Sequence, residues 1–301
     1  MNGLAKLCFR VSEAAAPSVA NLLMERVGPG LEQRDGDTLA APPLGTVELV
    51  VWVPEPDVAA HVEHVQRLVA SLAQLDAAPD TLSWETEAVP TEDWWEAYKQ
   101  SFRSMRIGRH FVVRPSWDTE LTATPGDRVI ELDPGMAFGT GGHASTRLAL
   151  SALERLDQRG QLPGSVLDVG CGAGILALAA AKLWPESYTQ AIDDDPIAVR
   201  VCQENVARNQ LGERITVTQQ AAATITGSYD LILANLSLEV LTNLKAVLTK
   251  ALSPTGRLVL SGLLAEQAAA VARQYSADLA LETEYSEEDS GWRSLLLRRH
   301  A

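Results

Sequence analysis

Asp168-Val169-Gly170-Cys171-Gly172-Ala173-Gly174 is the stretch that decides the fold. Val166 to Val169 is a short apolar run of the kind that forms a buried strand, and Ile175 to Trp184 is an Ala-rich helical stretch. Between them, alternate glycines let the backbone turn sharply and come close to a ligand. The helix that follows presents its first amide groups to an anionic partner such as a carboxylate. Strand, glycine loop and helix in that order place a ligand at the carboxyl edge of an open α/β sheet.

Outward from this loop the pattern repeats. Downstream, strands are expected at Thr189 to Ile192, Ile215 to Gln219, Tyr229 to Ala234 and Arg257 to Ser261. Helices are expected at Pro196 to Asn209, Leu238 to Leu252 and Ala265 to Leu279. Such alternation specifies a parallel sheet covered by helices on both faces. A closing pair, Leu281 to Tyr285 and Arg293 to Leu297 around Ser290-Gly291, adds an antiparallel last strand. Upstream lie a helix at Ser145 to Leu156, a glycine-rich run from Gly135 to Gly142, and two strands, Arg109 to Val113 and Arg128 to Leu132.

Residues 1–90 read as a separate unit. Leu7, Phe9 and Val11 alternate with polar neighbours as a strand does, and Glu13 to Val27 is helix-like up to Gly28-Pro29-Gly30. A weak strand at Leu31 to Arg34, a strong one at Thr46 to Val53, a helix at Asp57 to Leu75 and a strand at Thr81 to Val89 complete the order β-α-β-β-α-β, that of a ferredoxin-like sandwich. His61 and His64 share one face of that second helix, as a solvated face or as two ligands lacking a third, and no metal is expected. Residues 91–104 read as a connecting helix carrying Trp94, Trp95, Tyr98 and Phe102, an interdomain cover, ordinary core or a partner contact. Residues 105–301 form the α/β domain.

The chemistry of the loop separates two ligand classes. A dinucleotide fingerprint, G-x-G-x-x-G, requires Gly or Ala where this chain has Ile175. Asp168 would repel a pyrophosphate, but it suits the ammonium of a methionine moiety, directly or through water. S-adenosyl-L-methionine is therefore the expected cofactor. Some twenty residues on, Asp193 ends the next strand, where a carboxylate accepts both hydroxyls of a ribose; Asp194 and Asp195 suit the cap of the helix opening at Pro196. Asn235 ends the strand after Tyr229 with an amide suited to aligning an amine, or alternatively to capping the next helix. His143 is a candidate general base, with an ordering role in the glycine-rich run as its alternative.

Composition excludes several classes. The 301 residues carry 25 Lys and Arg against 39 Asp and Glu, a net charge of −14, so no broad contact with nucleic acid is expected. An acidic surface attracts a basic protein or simply aids solubility. Three scattered cysteines make no disulfide framework or zinc spacing. No stretch offers the ~18 consecutive apolar residues of a membrane span, and Met1 to Leu23 lacks the form of a secretion signal, so a cytoplasmic location is expected.

With those landmarks in place, Leu132-Asp133-Pro134-Gly135-Met136-Ala137-Phe138-Gly139-Thr140-Gly141-Gly142-His143-Ala144-Ser145-Thr146 closely resembles the L-D-P-G-x-A-F-G-T-G-x-H-x-T-T signature of the ribosomal protein L11 methyltransferase family (PrmA). Trp95-Glu96, Arg106-Ile107-Gly108-Arg109 and Pro115-Ser116-Trp117 match it too, so the resemblance spans essentially the whole chain. It implies a class I methyltransferase, with a Rossmann-like doubly wound sheet after a ferredoxin-like substrate-recognition domain and a linker helix. It also implies cofactor contacts at Thr146, Gly170, Asp193 and Asn235, and methylation of α- and ε-amino groups on a basic ribosomal protein. Two departures are visible: Ser145 replaces the first Thr of the pair, and Leu236-Ser237-Leu238 replaces the usual I-L-A after Asn235. The rivals are a lysine methyltransferase for another protein, such as the electron-transfer flavoprotein β-subunit, and a non-enzymatic ribosome-binding module. A nucleic-acid amine methylase is disfavoured, because no aromatic ring follows Asn235 to stack on a base.

Overall fold

The structure, a computed structural model, describes residues 4–13, 16, 19–20, 23, 31–34, 45–54, 83–89, 103–118, 121–133, 141–279 and 281–299. The chain divides into two compact units, Met1–Phe102 and Arg103–Ala301.

In the first unit, β1 (Leu4–Ser12), β2 (Leu31–Arg34), β3 (Thr46–Pro54) and β4 (Ser83–Val89) form one sheet in the order β2-β3-β1-β4. All its pairings are antiparallel, and Phe9 lies opposite Leu49 and Val11 opposite Val47. This is the strand order of the ferredoxin-like arrangement. Phe9, Val11, Val47, Leu49 and Val51 are buried, which gives the sheet the apolar face that the alternation requires. Ala16, Val19, Ala20 and Leu23 are helical and buried at the spacing of one helical stripe. The expected helix at 57–75, with His61 and His64, and the aromatic run from Trp94 to Phe102 lie outside the described residues.

The second unit is built on β8 (Ser165–Val169), β9 (Tyr188–Asp193), β10 (Ile215–Gln219), β11 (Tyr229–Asn235), β12 (Leu252–Leu264), β13 (Leu281–Asp289) and β14 (Trp292–Arg299). Their order is β10-β9-β8-β11-β12-β14-β13. β8, β9, β10, β11 and β12 pair in parallel, and β14 runs antiparallel to both of its neighbours. The chain steps outward from β8 through β9 to β10, then returns to β11 on the other side of β8. That reversal opens a crevice at the carboxyl edge between β8 and β11. Among the described residues, five α-helices accompany the sheet: α1 (Ala144–Gln158), α2 (Ile175–Leu183), α3 (Pro196–Arg208), α4 (Leu238–Ala251) and α5 (Ala265–Leu279). In α2 every residue but Lys182 is buried, and its alanines permit close approach to the strands. None of the described helices is long and apolar enough to cross a membrane.

A third, small sheet adds a strand to the expected pair: β5 (Met105–Ile107) is antiparallel to β6 (Phe111–Arg114), which runs parallel to β7 (Arg128–Glu131). The turn between β5 and β6 passes through Gly108 at φ +61°, and the buried Glu154 carboxylate of α1 accepts N–H bonds from Arg109 (3.0 Å) and His110 (2.7 Å). At the far edge of the main sheet, the acidic side chains of β13 are tied to cations: Glu284 to Arg257 at 2.9 Å, Glu288 to Arg293 and Asp289 to Arg147. Charges on an edge strand discourage pairing with another chain.

Candidate functional site

Val169 pairs with Ile192 on one side and Ala234 on the other, so the chain leaves β8 at Gly170 between the ends of β9 and β11. The N–H groups of Gly170 and Cys171 both donate to Ile192 O, at 2.9 and 3.0 Å, and Gly174 N–H donates to Cys171 O at 2.8 Å. Gly170, Gly172 and Gly174 hold φ values of +67°, +53° and +88°, a region that L side chains rarely adopt. Space demands glycine as well. A Cβ on Gly170 would lie 2.5 Å from Leu236 Cδ2, and one on Gly174 would lie 2.6 Å from Cys202 Sγ.

Asp168 is 1% exposed, and its Oδ2 accepts the N–H of Ala177 in the first turn of α2 at 3.0 Å. Burial pushes this carboxyl up to about 7; the Ala177 N–H draws it back, and the nearby Asp193 charge pushes it further up. Asp193, at the end of β9, accepts from Gly172 N–H at 2.9 Å through Oδ2 and from Asp195 N–H at 3.1 Å through Oδ1. Its pKa is raised by burial, opposed by those two N–H groups and reinforced by Asp194 and Asp195. Asp195 caps α3, accepting from Ile197 N–H at 2.8 Å, with Pro196 in the first turn. Asp194 contributes its carbonyl to Gln219 Nε2 at 3.2 Å.

On the other side of the glycine loop, Asn235 Nδ2 donates to Oγ1 of the fully buried Thr146 at 3.4 Å, bringing the end of β11 to the first turn of α1. Ser145, the substituted position of the signature, is bonded through its carbonyl to Ser261 Oγ at 2.7 Å. His143 is the N-cap of α1: Nδ1 accepts from Ser145 N–H at 3.3 Å and lies 2.8 Å from Ser145 Oγ. Its ring packs edge-on against Trp292, with centroids 4.6 Å apart. Burial and the Arg147 charge lower its pKa to about 4, against a smaller opposing pull from Asp289, so it is neutral near pH 7.

The structure thus gathers Asp168, Gly170, Gly172, Gly174, Asp193, Asn235 and Thr146 along one edge of the sheet, with His143 just before the helix that carries Thr146. Residues 134–140 of the glycine-rich run lie outside the described residues. Sequence reasoning saw Leu236 only as a departure and missed its place: its side chain faces Gly170 and its N–H donates to Ser261 O at 3.1 Å. It also missed Gly262, at φ +83°, where a Cβ would collide with the Leu236 carbonyl. The departure at Leu236 therefore fills a space bounded by two glycines. Asn205 was missed too, although a signal existed: it falls on the buried helix stripe of Val201, Cys202 and Val206, where a polar amide is out of place unless its bonds are met. Among the described residues, no group of three or more His, Cys, Asp or Glu converges as a metal site.

Sequence comparison agrees with this architecture. The family described as Ribosomal protein L11 methyltransferase (PrmA) matches residues 5–300. A ribosomal protein L11 methyltransferase of Geotalea daltonii is 37% identical over 277 residues, covering 87% of each chain. One from Citrifermentans bemidjiense is 34% identical over 98% of each. The crystal structure of a ribosomal protein L11 methylase from Lactobacillus delbrueckii subsp. bulgaricus superposes with a TM-score of 0.60 at 29% identity, covering 66% of this chain and all of that one. The reach of the family match over both units, together with the glycine loop at the sheet reversal, places this chain in the ribosomal protein L11 methyltransferase family, whose methyl donor is S-adenosyl-L-methionine.

Proposed function

We propose that the chain transfers methyl groups from S-adenosyl-L-methionine to amino groups of ribosomal protein L11, both lysine side chains and the N-terminal α-amine, in the cytoplasm. The observation that carries this reading is the convergence of three strand ends on a loop in which Gly170 and Gly174 have no room for a Cβ. Such a cradle fits the donor: Gly170, Gly172 and Gly174 let the backbone approach it, Asp168 meets its amino group, Asp193 takes the ribose hydroxyls, and Thr146 and Asn235 border its methyl end. The donor supplies a sulfonium methyl as electrophile.

The chain's own task is to deliver a neutral amine in line with that methyl. A lysine amine has an ordinary pKa near 10.4. A site shielded from water lowers it by disfavouring the ammonium. The Asn235 carbonyl accepts one amine N–H and so turns the nitrogen lone pair toward the methyl. Most of the acceleration then comes from proximity and orientation. His143 orders the start of α1, and the amine proton leaves to solvent; a ring whose pKa lies near 4 is a feeble base at neutral pH.

Incubation of the full chain with labelled donor and purified L11, read by intact mass, is expected to give mass increments of whole methyl groups, mapped by peptide sequencing to Lys and N-terminal amines. Label that stays out of L11 while entering another protein would overturn the acceptor assignment. His143→Ala is expected to remove a cap worth about 1 kcal/mol and to slow turnover. The shape of its pH–rate profile between about pH 5.5 and 8 should match that of the parent chain. Loss of an acidic limb in the variant would instead make His143 the base.

A further inference from the structure

Asn205 is fully buried on α3, and its amide does more than fill space. Oδ1 accepts Asp133 N–H at 3.0 Å, while Nδ2 donates to Asp133 O at 3.1 Å and to Ala173 O at 3.0 Å. Arg208 Nη1 also donates to Oδ1, at 3.1 Å. One turn later Asn209 repeats half of this pattern on Glu131, accepting its N–H at 3.0 Å and donating to its carbonyl at 2.6 Å; its amide also donates to Asn205 O at 2.8 Å. Glu131 and Asp133 are two residues apart, so their backbone groups point to the same side of an extended chain. The two amides therefore grip the end of β7 as a neighbouring strand would.

Away from β7 the two asparagines bond differently: within α3, Asn209 reaches Asn205 O and Asn205 takes Arg208 Nη1. Asn209 holds β7 and its own helix, whereas Asn205 also holds the carbonyl of Ala173, between Gly172 and Gly174. Cys202, one turn back on α3, is the side chain that closes the space beside Gly174. Asp133 is itself anchored: its carboxylate accepts from Ser116 N–H at 2.7 Å and Ser116 Oγ at 2.8 Å, and pairs with Arg208 at 2.8 Å. A buried amide with every bond made fixes a single arrangement of the backbones around it.

We infer that Asn205 is a positioning residue for the methyl donor. It acts through Ala173, setting the peptide planes of Gly172 to Gly174, and it ties that loop to the chain at Asp133, just past the end of β7. The inference rests on the reading that the glycine loop holds the donor.

The test compares Asn205→Ala with Asn209→Ala in the full chain, by apo thermal midpoint and by calorimetric titration with S-adenosyl-L-methionine. Each variant loses an amide that grips β7, so both midpoints should fall. Only Asn205→Ala should weaken donor binding, by about ten-fold, the factor one neutral hydrogen bond of ordinary strength supplies. Asn205→Asp, which keeps the shape but sets acceptors against the two carbonyls, should weaken it at least as much, and it carries the comparison should the alanine variant not fold. Equal weakening in Asn205→Ala and Asn209→Ala would place the effect in β7 and overturn the inference. So would a lowered midpoint in the Asn205 variants with parental affinity. Parental affinity in Asp193→Ala, measured alongside, would overturn the underlying reading of the loop instead.

Discussion

Asp193→Ala is expected to weaken S-adenosyl-L-methionine binding by about a hundred-fold or more, the largest loss from any single side chain at the loop. Two contributions add. The carboxylate joins the glycine loop to the start of α3, taking Gly172 N–H at 2.9 Å and Asp195 N–H at 3.1 Å. Its remaining lone pairs are the ones assigned to the ribose hydroxyls, and hydrogen bonds to a charged group contribute roughly 1.5–3 kcal/mol each. Loss of two such bonds gives about two orders of magnitude in Kd before the loop relaxes. Asp193→Asn keeps one carbonyl acceptor and should fall between, since its NH2 group must face an N–H donor that the second carboxylate oxygen accepted. Calorimetry of both variants checks the order. Asp193→Ala affinity within about three-fold of the parent chain would remove Asp193 from the site.

The parts of this site that were legible in the sequence share a physical reason. Gly170, Gly172 and Gly174 stand out because all three hold positive φ and a neighbour crowds Gly170 and Gly174, and strand periodicity before the loop with helical periodicity after it locates the turn. The cap at Asp195 with Pro196 next to it is a local bond between residues two apart, visible as a pattern of residue types. His143 was legible as a titratable ring or an ordering group, but not as a helix cap; its cap to Ser145 uses a side chain outside the usual capping set, and the helix accordingly begins one residue before the expected Ser145.

What stayed hidden depends on partners distant in sequence. β5 is three residues long, too short for an alternation, and exists through pairing with β6 and the grip of Glu154 some 45 residues away. β12 was expected from Arg257 to Ser261 but runs from Leu252 to Leu264: Leu252 pairs with Tyr229 across the sheet, and the ladder then skips Pro254 and Gly256 to resume at Arg257. β13 extends past Tyr285 through Glu287-Glu288-Asp289, an acidic run with no apolar alternation; Ser151, Arg293 and Arg147 supply what the alternation lacks. The bonds of Asn205 to Asp133 and Ala173 span 72 and 32 positions, and no local pattern announces them.

Asp168→Asn is expected to make the apoprotein more stable above pH 7 and a poorer binder of the donor. The sign follows from the buried carboxyl. Burial raises it to about 7 in the folded chain, against an ordinary value of 3.8. Between those values the unfolded chain has released a proton that the folded chain keeps. Apoprotein stability therefore falls as pH rises across that window and levels off above it. At about 1.4 kcal/mol per pH unit, the window is worth roughly 4 kcal/mol. Asparagine keeps the shape and offers its carbonyl to Ala177 N–H, so denaturant titrations from about pH 4.5 to 8 should show a flatter stability profile than the parent chain and a higher plateau. A charge retained at that cost makes sense if the bound ammonium of the donor offsets it. Donor binding near pH 6 should then expel a proton, because a cation beside Asp168 favours its ionised form. Calorimetry in buffers of differing ionisation enthalpy reads that proton directly, and Asp168→Asn should show a smaller release along with weaker binding. Unchanged affinity and unchanged proton release in the variant would mean that Asp168 caps α2 and does nothing for the ligand.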